Sequence, residues 1–171
     1  REDPFFNHAD AVRAFDELIT EGCIRSYGVC NYDPFKFDAF HTLSNDQCVT
    51  NQIEVSPLQF EHFNSGMMDV LQKYNVHPMF WSPLNGGNIF TSNDENVVNL
   101  RRVLERIANK YQTSTDTIVY AWLLKHPVKG MVICGSQKIS RLQNAINALQ
   151  INLELEEWYE IYLASGQQII R

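Results

Sequence analysis

Apolar positions along the chain alternate between helical spacing and short runs of strand length. Between residues 9 and 21 they recur every three or four positions, and Gly22 follows where a left-handed residue commonly ends a helix. An apolar run at 26–30 predicts a strand, after which Asp33 and Pro34 supply a cap and a first-turn proline for the next helix. The whole pattern predicts strands at 26–30, 48–54, 78–81 and 131–134, helices at 9–21, 34–43, 65–74, 97–111, 115–126, 140–149 and 155–164, and a long loop at 82–96.

Strand–helix units in series require parallel strands joined by right-handed crossovers, so the pattern predicts an α/β architecture. An open doubly wound sheet could be complete with this many strands, whereas a (β/α)8 barrel needs eight strands and typically about 250 residues. In the second case the 171 residues would form half of a barrel. Periodicity alone does not distinguish the two folds. Since no linker or low-complexity segment interrupts the chain, we expect a single domain over 1–171.

Composition and charge narrow the function classes. Acidic residues outnumber basic ones by 20 to 14, for a net charge of −6, and no Lys/Arg-rich run occurs, so the chain would repel a nucleic-acid backbone. No apolar stretch approaches the roughly 18 residues of a membrane span, and Arg1-Glu2-Asp3-Pro4 lacks the pattern of a secretory signal. A soluble cytoplasmic protein is expected, with neither nucleic acid nor membrane as a partner.

The cysteines indicate neither a metal site nor a disulfide framework. Cys23, Cys30, Cys48 and Cys134 are far apart, form no C-x-x-C pair and have no histidine at metal-ligand spacing. The five histidines show no paired spacing either. We therefore expect reduced thiols and no bound metal.

Three short phrases resemble the aldo-keto reductase family in order and spacing. They are Gly28-Val29-Cys30-Asn31-Tyr32, Asn51-Gln52-Ile53-Glu54 and Trp81-Ser82-Pro83-Leu84, and the flanking stretches 15–32 and 121–149 are also similar. Essentially all 171 residues are covered, and the chain is most similar to a bacterial subgroup of predicted oxidoreductases. The resemblance implies a (β/α)8 TIM barrel, of which this chain is the C-terminal half with strands five to eight.

The same resemblance implies a nicotinamide site at the strand ends. It assigns Cys30, Asn31 and Gln52 to the nicotinamide carboxamide and Trp81 to stacking on the ring. The physical chemistry agrees, because strand ends converge at the mouth of a barrel, amide side chains both donate and accept, and an aromatic face suits a planar ring. The family usually has serine where this chain has Cys30. Taken singly, these residues also fit ordinary turn, cap and core roles.

A second group of residues is expected to hold phosphate. Gly135-Ser136-Gln137-Lys138 precedes a predicted helix, whose free amides and dipole favour an anion. The resemblance implies NADP(H) as the cofactor, with one group of residues at its adenosine end and a second group over its pyrophosphate. It assigns the 2′-phosphate to Ser136, Gln137, Lys138 and Arg141, the adenine to Asn144, and the pyrophosphate cover to the segment that contains Ser82, Leu84, Gly86 and Gly87. A solvated helix start and a plain flexible loop are the alternatives.

No residue of this chain matches the family's catalytic set. In the family a Tyr, tuned by Lys and Asp and helped by a His, protonates the carbonyl oxygen that receives hydride. These groups belong to the first half of the barrel, and Arg1-Glu2-Asp3-Pro4 resembles the phrase that follows the catalytic His. The resemblance implies an NADP(H)-dependent enzyme for a small carbonyl or alcohol substrate, whose catalytic residues lie upstream of Arg1.

Several expectations follow for the chain by itself. The 171-residue chain is expected to be inactive, and the missing N-terminal half-barrel is its expected partner. Open sheet edges also favour self-association. A non-catalytic, regulatory NADP(H)-binding module is the alternative function. A flavodoxin-like domain is disfavoured because Cys30-Asn31-Tyr32-Asp33-Pro34 has no phosphate-binding turn.

Overall fold

A computed structural model describes residues 5–168, so the expectation for Arg1-Glu2-Asp3-Pro4 lies outside the described residues. Within them, a parallel sheet contains strands β1 (Tyr27–Cys30), β2 (Cys48–Glu54), β3 (Met79–Trp81) and β4 (Met131–Val132) in the order β1-β2-β3-β4. Neighbours in sequence are therefore neighbours in the sheet, which is the strand order of a barrel and not of a doubly wound sheet.

Helices follow the strands and cover one face of the sheet. Their bounds are α1 His8–Thr20, α2 Pro34–Leu43, α3 Glu61–Asn64, α4 Met67–Lys73, α5 Asn88–Thr91, α6 Glu95–Lys110, α7 Thr115–Lys125, α8 Ile139–Asn147 and α9 Leu155–Ala164. Short 3-10 turns lie at Asn85–Gly87 and Ala148–Gln150. The bounds of α2, β2 and α9 agree with the sequence prediction, because caps and strong apolar periodicity mark their ends.

Three elements differ from the sequence prediction. The helix predicted at 65–74 is present as α4, which begins at Met67 because Gly66 adopts a left-handed φ of 84° at its cap position, but the separate helix α3 before it was not predicted. The loop at 82–96 contains a 3-10 turn and α5, and α6 already begins at Glu95. The strand at 131–134 is reduced to two residues, although Ile133 still donates from its backbone amide to the Phe80 carbonyl oxygen at 2.9 Å.

The hydrophobic core lies between the sheet and the helices. Ile53 and Phe80 point from the strands into it, whereas the side chains that alternate with them, including Gln52 and Trp81, are half-exposed on the other face. The largest fully buried side chains include Trp122, which stacks on Trp158 with ring centroids 5.0 Å apart. Each of these indoles donates to the other's backbone carbonyl oxygen, at 3.1 and 3.0 Å, which joins α7 to α9.

A buried carboxylate joins α6 to α9. Glu157 accepts from the Lys110 ammonium at 2.6 Å and from the Tyr111 hydroxyl at 2.7 Å. Its second role is in the capping box at the start of α9, where it also accepts from the Glu154 amide. Burial alone would raise the pKa of Glu157, but the hydrogen bonds from Lys110 and Tyr111 outweigh it and lower the pKa.

One edge of the structure is apolar and exposed. Helix α8 has no buried residue, and its exposed apolar side chains are Ile139, Leu142, Ile146 and Leu149. These positions are spaced three or four residues apart and so lie on one side of the helix and the turn after it. Edge strand β4 precedes this helix in the chain and carries the half-exposed Met131. Among the described residues, nothing covers this apolar stripe.

Residues 5–168 contain neither a helix of membrane-spanning character nor a metal-binding cluster. No helix in this range is both long and apolar enough to cross a membrane. The same range contains no cluster of three or more His, Cys, Asp or Glu side chains arranged to hold a metal ion.

Candidate cofactor site

The ends of β1, β2 and β3 bring together the residues expected at the nicotinamide. Asn31 follows β1, and its backbone amide donates to the Gln52 carbonyl oxygen at 2.9 Å. Trp81 ends β3, and its indole Nε1 donates to the Asn31 side-chain oxygen, also at 2.9 Å. Asn31 has a φ of 57°, a left-handed conformation that Asn tolerates better than most residues. The Trp81 ring is therefore held in one orientation by a residue from two strands away.

Cys30 lies beside these residues and contacts Gln52. The parallel register places Cys30 opposite Gln52, and its Sγ lies 3.7 Å from the Gln52 side-chain oxygen. A thiol is a weak hydrogen-bond donor, so this contact orients Gln52 only loosely. Cys30, Asn31, Gln52 and Trp81 thus form one polar and aromatic patch, called here the strand-end cluster, in which Asn31 is exposed and the other three are half-buried.

Asn51 supports the strand-end cluster from the opposite face of the sheet, a role that sequence reasoning missed. Its side chain is fully buried, donates to the Tyr32 carbonyl oxygen at 2.9 Å and accepts from the Tyr32 amide at 3.3 Å. This two-bond clasp holds the backbone directly after Asn31. The alternation of side chains along β2 was the available signal, since it separates Asn51 from Gln52.

A cleft of about 780 Å³ is lined by Ser82, the residue that follows Trp81 in the chain, and by residues farther along. One wall is the segment after β3, and the other is formed by the starts of α7 and α8. Six of the residues expected to bind cofactor line it: Ser82, Leu84, Gly86, Gly87, Ser136 and Arg141. Sequence reasoning missed the lining residues Phe90, Thr91, Ser114, Thr115, Asp116, Tyr120 and Ile133, which belong to α5, to α7 and its cap, and to the residue after β4.

The turn into the 3-10 segment depends on glycine. Gly86 and Gly87 have φ values of 61° and 96°, in the left-handed region that favours glycine. Open space surrounds both Cα atoms, so backbone conformation and not crowding selects glycine there. Both glycines line the cleft, so this turn forms part of its wall.

The start of α8 is open to an anion. Lys138 occupies the cap position, and no side chain caps the first turn. The Ser136 hydroxyl accepts from the Lys138 amide at 3.2 Å, which shapes the turn before the helix. Arg141 lines the cleft, whereas Gln137 and Lys138 are exposed outside its lining. Free amides, a helix dipole and a nearby guanidinium are the components of a phosphate site.

Asn144 is engaged by a carboxylate. Its side-chain nitrogen lies 3.1 Å from each carboxylate oxygen of Asp116. Its backbone carbonyl oxygen accepts from the Thr117 hydroxyl, also at 3.1 Å. Asp116 lines the cleft and Asn144 does not. The assignment of Asn144 to adenine stays a prediction, and Asp116 is the group of this pair that faces the cleft.

One tyrosine, Tyr120, lines the cleft. The Tyr120 hydroxyl lies 3.7 Å from Cys134 Sγ, and burial raises the pKa of this phenol well above its ordinary value. No lysine or histidine lines the cleft within the described residues. Two charged groups that line the same cleft act on this phenol more weakly than burial does: Asp116 raises its pKa and Arg141 lowers it.

A tyrosine, a lysine and an aspartate do meet elsewhere, between α2 and α4. The Tyr74 hydroxyl donates to Asp38 at 2.7 Å, and the Lys73 ammonium lies 2.9 Å from Asp38 and 3.0 Å from the Tyr74 oxygen. Hydrogen bonds from Lys73 and then Tyr74 lower the pKa of Asp38. This cluster is largely exposed and belongs to neither the strand-end cluster nor the cleft, so its contacts join two helices.

The family is decided by comparison of the sequence with known proteins. A family model described as the aldo/keto reductase family matches residues 2–164. The chain belongs to this family. The resemblance carried by the three phrases is thereby confirmed.

Two relatives show how much of an aldo/keto reductase is present. The chain is 32% identical over 170 residues to 6-dehydroglucose reductase of Agrobacterium fabrum strain C58, covering 99% of this chain and 56% of that protein. It is 34% identical over 166 residues to oxidoreductase YdhF of Escherichia coli K12, covering 96% and 55%. The chain spans about half the length of the curated relatives that it matches.

Solved structures confirm the fold. The thermostable aldo-keto reductase Tm1743, in complex with the inhibitor epalrestat, superposes with a TM-score of 0.85 at 24% identity, covering 95% of this chain and 56% of that one. The apo form of Gox0644 gives a TM-score of 0.75 at 21% identity, covering 92% and 53%. The four-stranded parallel sheet is therefore half of an aldo/keto reductase barrel, as the sequence predicted.

Proposed function

We propose that the cleft and the strand-end cluster bind NADP(H), and that the chain is the cofactor-binding part of an oxidoreductase that reduces carbonyls or oxidises alcohols. The observation that carries this proposal is that Trp81 of the strand-end cluster is followed directly in the chain by Ser82, which lines the cleft. The strand-end cluster supplies an aromatic ring with two side-chain amides, and the cleft is lined by Arg141 near the uncapped start of α8. A long ligand with a planar amide at one end and phosphates at the other fits this arrangement.

The strand-end cluster suits a nicotinamide carboxamide. The Asn31 side-chain oxygen already accepts from Trp81, which leaves its nitrogen to donate to a carbonyl oxygen. Within residues 5–168 the Gln52 side chain is bound only by the weak Cys30 contact, so it can turn to meet an amide. The fixed Trp81 ring offers a flat face beside both. When bound, a nicotinamide cofactor supplies or accepts the hydride, and these side chains orient it.

The adenosine end favours a cofactor with an additional phosphate. Ser136 and Arg141 line the cleft at the uncapped start of α8, with Lys138 at the cap position. Arginine binds phosphate through a planar fork of donors, so Arg141 contributes more here than the exposed Lys138. This end of the cleft therefore supports NADP(H) over NAD(H), although the carboxylate of Asp116 also faces it.

Titration of the chain with NADPH and NADH tests the proposal. We expect NADPH to bind more tightly, with quenching of Trp81 fluorescence, and Arg141→Ala to weaken NADPH binding more than Lys138→Ala does. Arg102→Ala is the control, because it removes the same charge from an exposed position on α6, away from the cleft. Equal affinity for the two cofactors, or an equal loss in the Arg102 variant, would contradict the phosphate assignment.

We also propose that the exposed edges pack against the other half of an aldo/keto reductase barrel. Four strands are half of the eight that close such a barrel, and the chain exposes the apolar stripe of α8 as well as edge strand β4. The test is co-expression with the first half of YdhF, followed by mass measurement in light scattering. A one-to-one complex supports the proposal. A dimer of this chain that excludes the added half would identify a second copy as the occupant, and a persistent monomer would contradict both.

The substrate proposal is a small carbonyl or alcohol compound. Because one relative is named 6-dehydroglucose reductase, oxidised sugars are the first class to assay. We expect the 171-residue chain alone to bind NADPH without carbonyl-dependent oxidation of it, since the cleft lining lacks a tuned proton donor within the described residues. Turnover by the purified chain, lost in Arg141→Ala, would refute this expectation.

A regulatory function is the second candidate. The chain is 24% identical over 179 residues to a putative voltage-gated potassium channel subunit beta of Schizosaccharomyces pombe, covering 88% of this chain and 52% of that protein. A regulatory module would bind NADPH without turnover even when complexed with the other half-barrel. Carbonyl-dependent NADPH oxidation by that complex would exclude this candidate.

A further inference from the structure

An arginine outside the cleft holds one of its walls in place. Arg101 lies on α6, is half-buried and does not line the cleft. Its Nε donates to the Ile89 carbonyl oxygen at 3.0 Å, and its Nη2 donates to the Ser92 carbonyl oxygen at 2.6 Å. Ile89 belongs to α5 and Ser92 caps its C-terminal end, so one side chain joins α5 to α6 at two points.

Helix α5 needs such an anchor. It has 4 residues, far fewer than the roughly 12–15 at which an isolated helix becomes even marginally stable, so its position depends on tertiary contacts. Ile89 supplies an apolar anchor, since it is fully buried in the core. Arg101 supplies the polar one, because carbonyl groups at the C-terminal end of a helix attract a cation and charged donors form strong hydrogen bonds.

The anchored helix presents side chains to the cleft. Phe90 and Thr91 line the cleft, next to the left-handed Gly86 and Gly87 that begin the segment. Arg101 reaches them only through the backbone of α5. Loss of its two hydrogen bonds would leave Ile89 as the anchor of this wall.

We propose that Arg101 is a positioning residue that fixes α5 against the cleft and thereby sets how slowly a bound dinucleotide leaves. This inference rests on the proposed function, because it takes the cleft to be the cofactor site. If this wall is loosened, the ligand can still enter the open cleft, but the cleft holds the bound ligand less firmly. The effect therefore falls on the dissociation rate, where most affinity differences between related complexes lie.

Stopped-flow release of NADPH from the chain tests the proposal with matched variants. Arg101→Met keeps the apolar stem and removes both hydrogen bonds, so we expect release to accelerate about tenfold while the association rate stays within about threefold of wild type. Arg101→Lys retains a cation that reaches one carbonyl and should give an intermediate rate. Arg102→Met makes the same change in charge at an exposed position that has no hydrogen bond or ion pair within residues 5–168, and should release like wild type.

Hydrogen exchange of the ligand-free chain gives a second readout. The amides of residues 88–92 should exchange faster in Arg101→Met and at the wild-type rate in Arg102→Met. Unchanged exchange of these amides in Arg101→Met would overturn the proposal, whatever the measured rate of NADPH release. Wild-type binding with unchanged release from Arg101→Met would overturn it also, whereas no binding of either dinucleotide by the wild-type chain would overturn the proposed function itself.

Discussion

Asn51→Asp replaces one amide nitrogen by oxygen in a side chain with no solvent exposure. In the wild type that nitrogen donates to the Tyr32 carbonyl oxygen at 2.9 Å. Aspartate places a second oxygen against this carbonyl, which loses its donor, and it also brings an ionisable group into the core. A buried group left without its partner costs about 1–3 kcal/mol, so with the added cost of carboxyl burial we expect a loss of about 3 kcal/mol.

For a domain of this size each kcal/mol shifts the melting temperature by about 2–4 °C, so Asn51→Asp should melt roughly 6–12 °C below wild type. Thermal unfolding followed by circular dichroism at neutral pH measures it. Gln52→Glu is the matched control, because it makes the same chemical change at the next residue, whose side chain is half-exposed. We expect the control to stay within about 0.5 kcal/mol of wild type in stability and to bind NADPH more weakly. If Asn51→Asp melts at the wild-type temperature, or if Gln52→Glu loses as much stability as Asn51→Asp, then it is wrong that Asn51 supports the structure from one face of the sheet while Gln52 binds cofactor on the other.

Three further predictions concern packing, acid and thiols. Gly130→Ala would place its Cβ 2.2 Å from the buried Phe80 ring, so we expect urea unfolding to show a loss of about 1–3 kcal/mol. The pKa of Glu157 is lowered by its lysine and tyrosine partners, so its stabilisation is present above the ordinary value of 4.5 and is lost as pH falls through the folded value. Glu157→Gln should flatten this acid limb of the stability curve. Burial raises the pKa of Cys48 to about 11, so iodoacetamide should label exposed Cys23 first and Cys48 only after unfolding.

Each of these predictions has a control in the chain. Gly135→Ala should unfold like wild type, because open space surrounds that Cα. Glu156→Gln changes an exposed neighbour of Glu157 and should leave the acid limb as it is. Labelling of Cys48 in the native chain at the rate of Cys23 would contradict the burial of the Cys48 thiol. A loss of stability in acid as steep in Glu157→Gln as in the wild type would contradict the role of the Glu157 carboxylate.

Much of the fold could be predicted from local signals. Asp33 and Pro34 mark the start of α2, and Asp33 does accept from the Lys36 amide at 2.9 Å. The strand predicted at 48–54 has the bounds of β2. The short helix α3 was missed, because four residues are too few to show an apolar periodicity.

The sequence predicted single residues of the candidate site, but not which of them share a face of the sheet. The three phrases named Asn31, Gln52 and Trp81, and the structure brings these together. The same phrases contain Asn51, whose support of Tyr32 across β1 and β2 was missed. A phrase shows which residues are neighbours in sequence, but the pairing of strands decides which of them share a face.

By itself, the sequence determined the order of strands and helices, the half-barrel and the residues at the strand ends, because these depend on local caps, periodicity and phrases typical of the family. Only the tertiary structure decided that Asp116 holds Asn144 and faces the cleft, and that Arg101 anchors α5. The physical reason is distance along the chain. Asp116 and Asn144 are 28 residues apart, and Arg101 and Ile89 are 12 apart, so their hydrogen bonds exist only once the helices have packed.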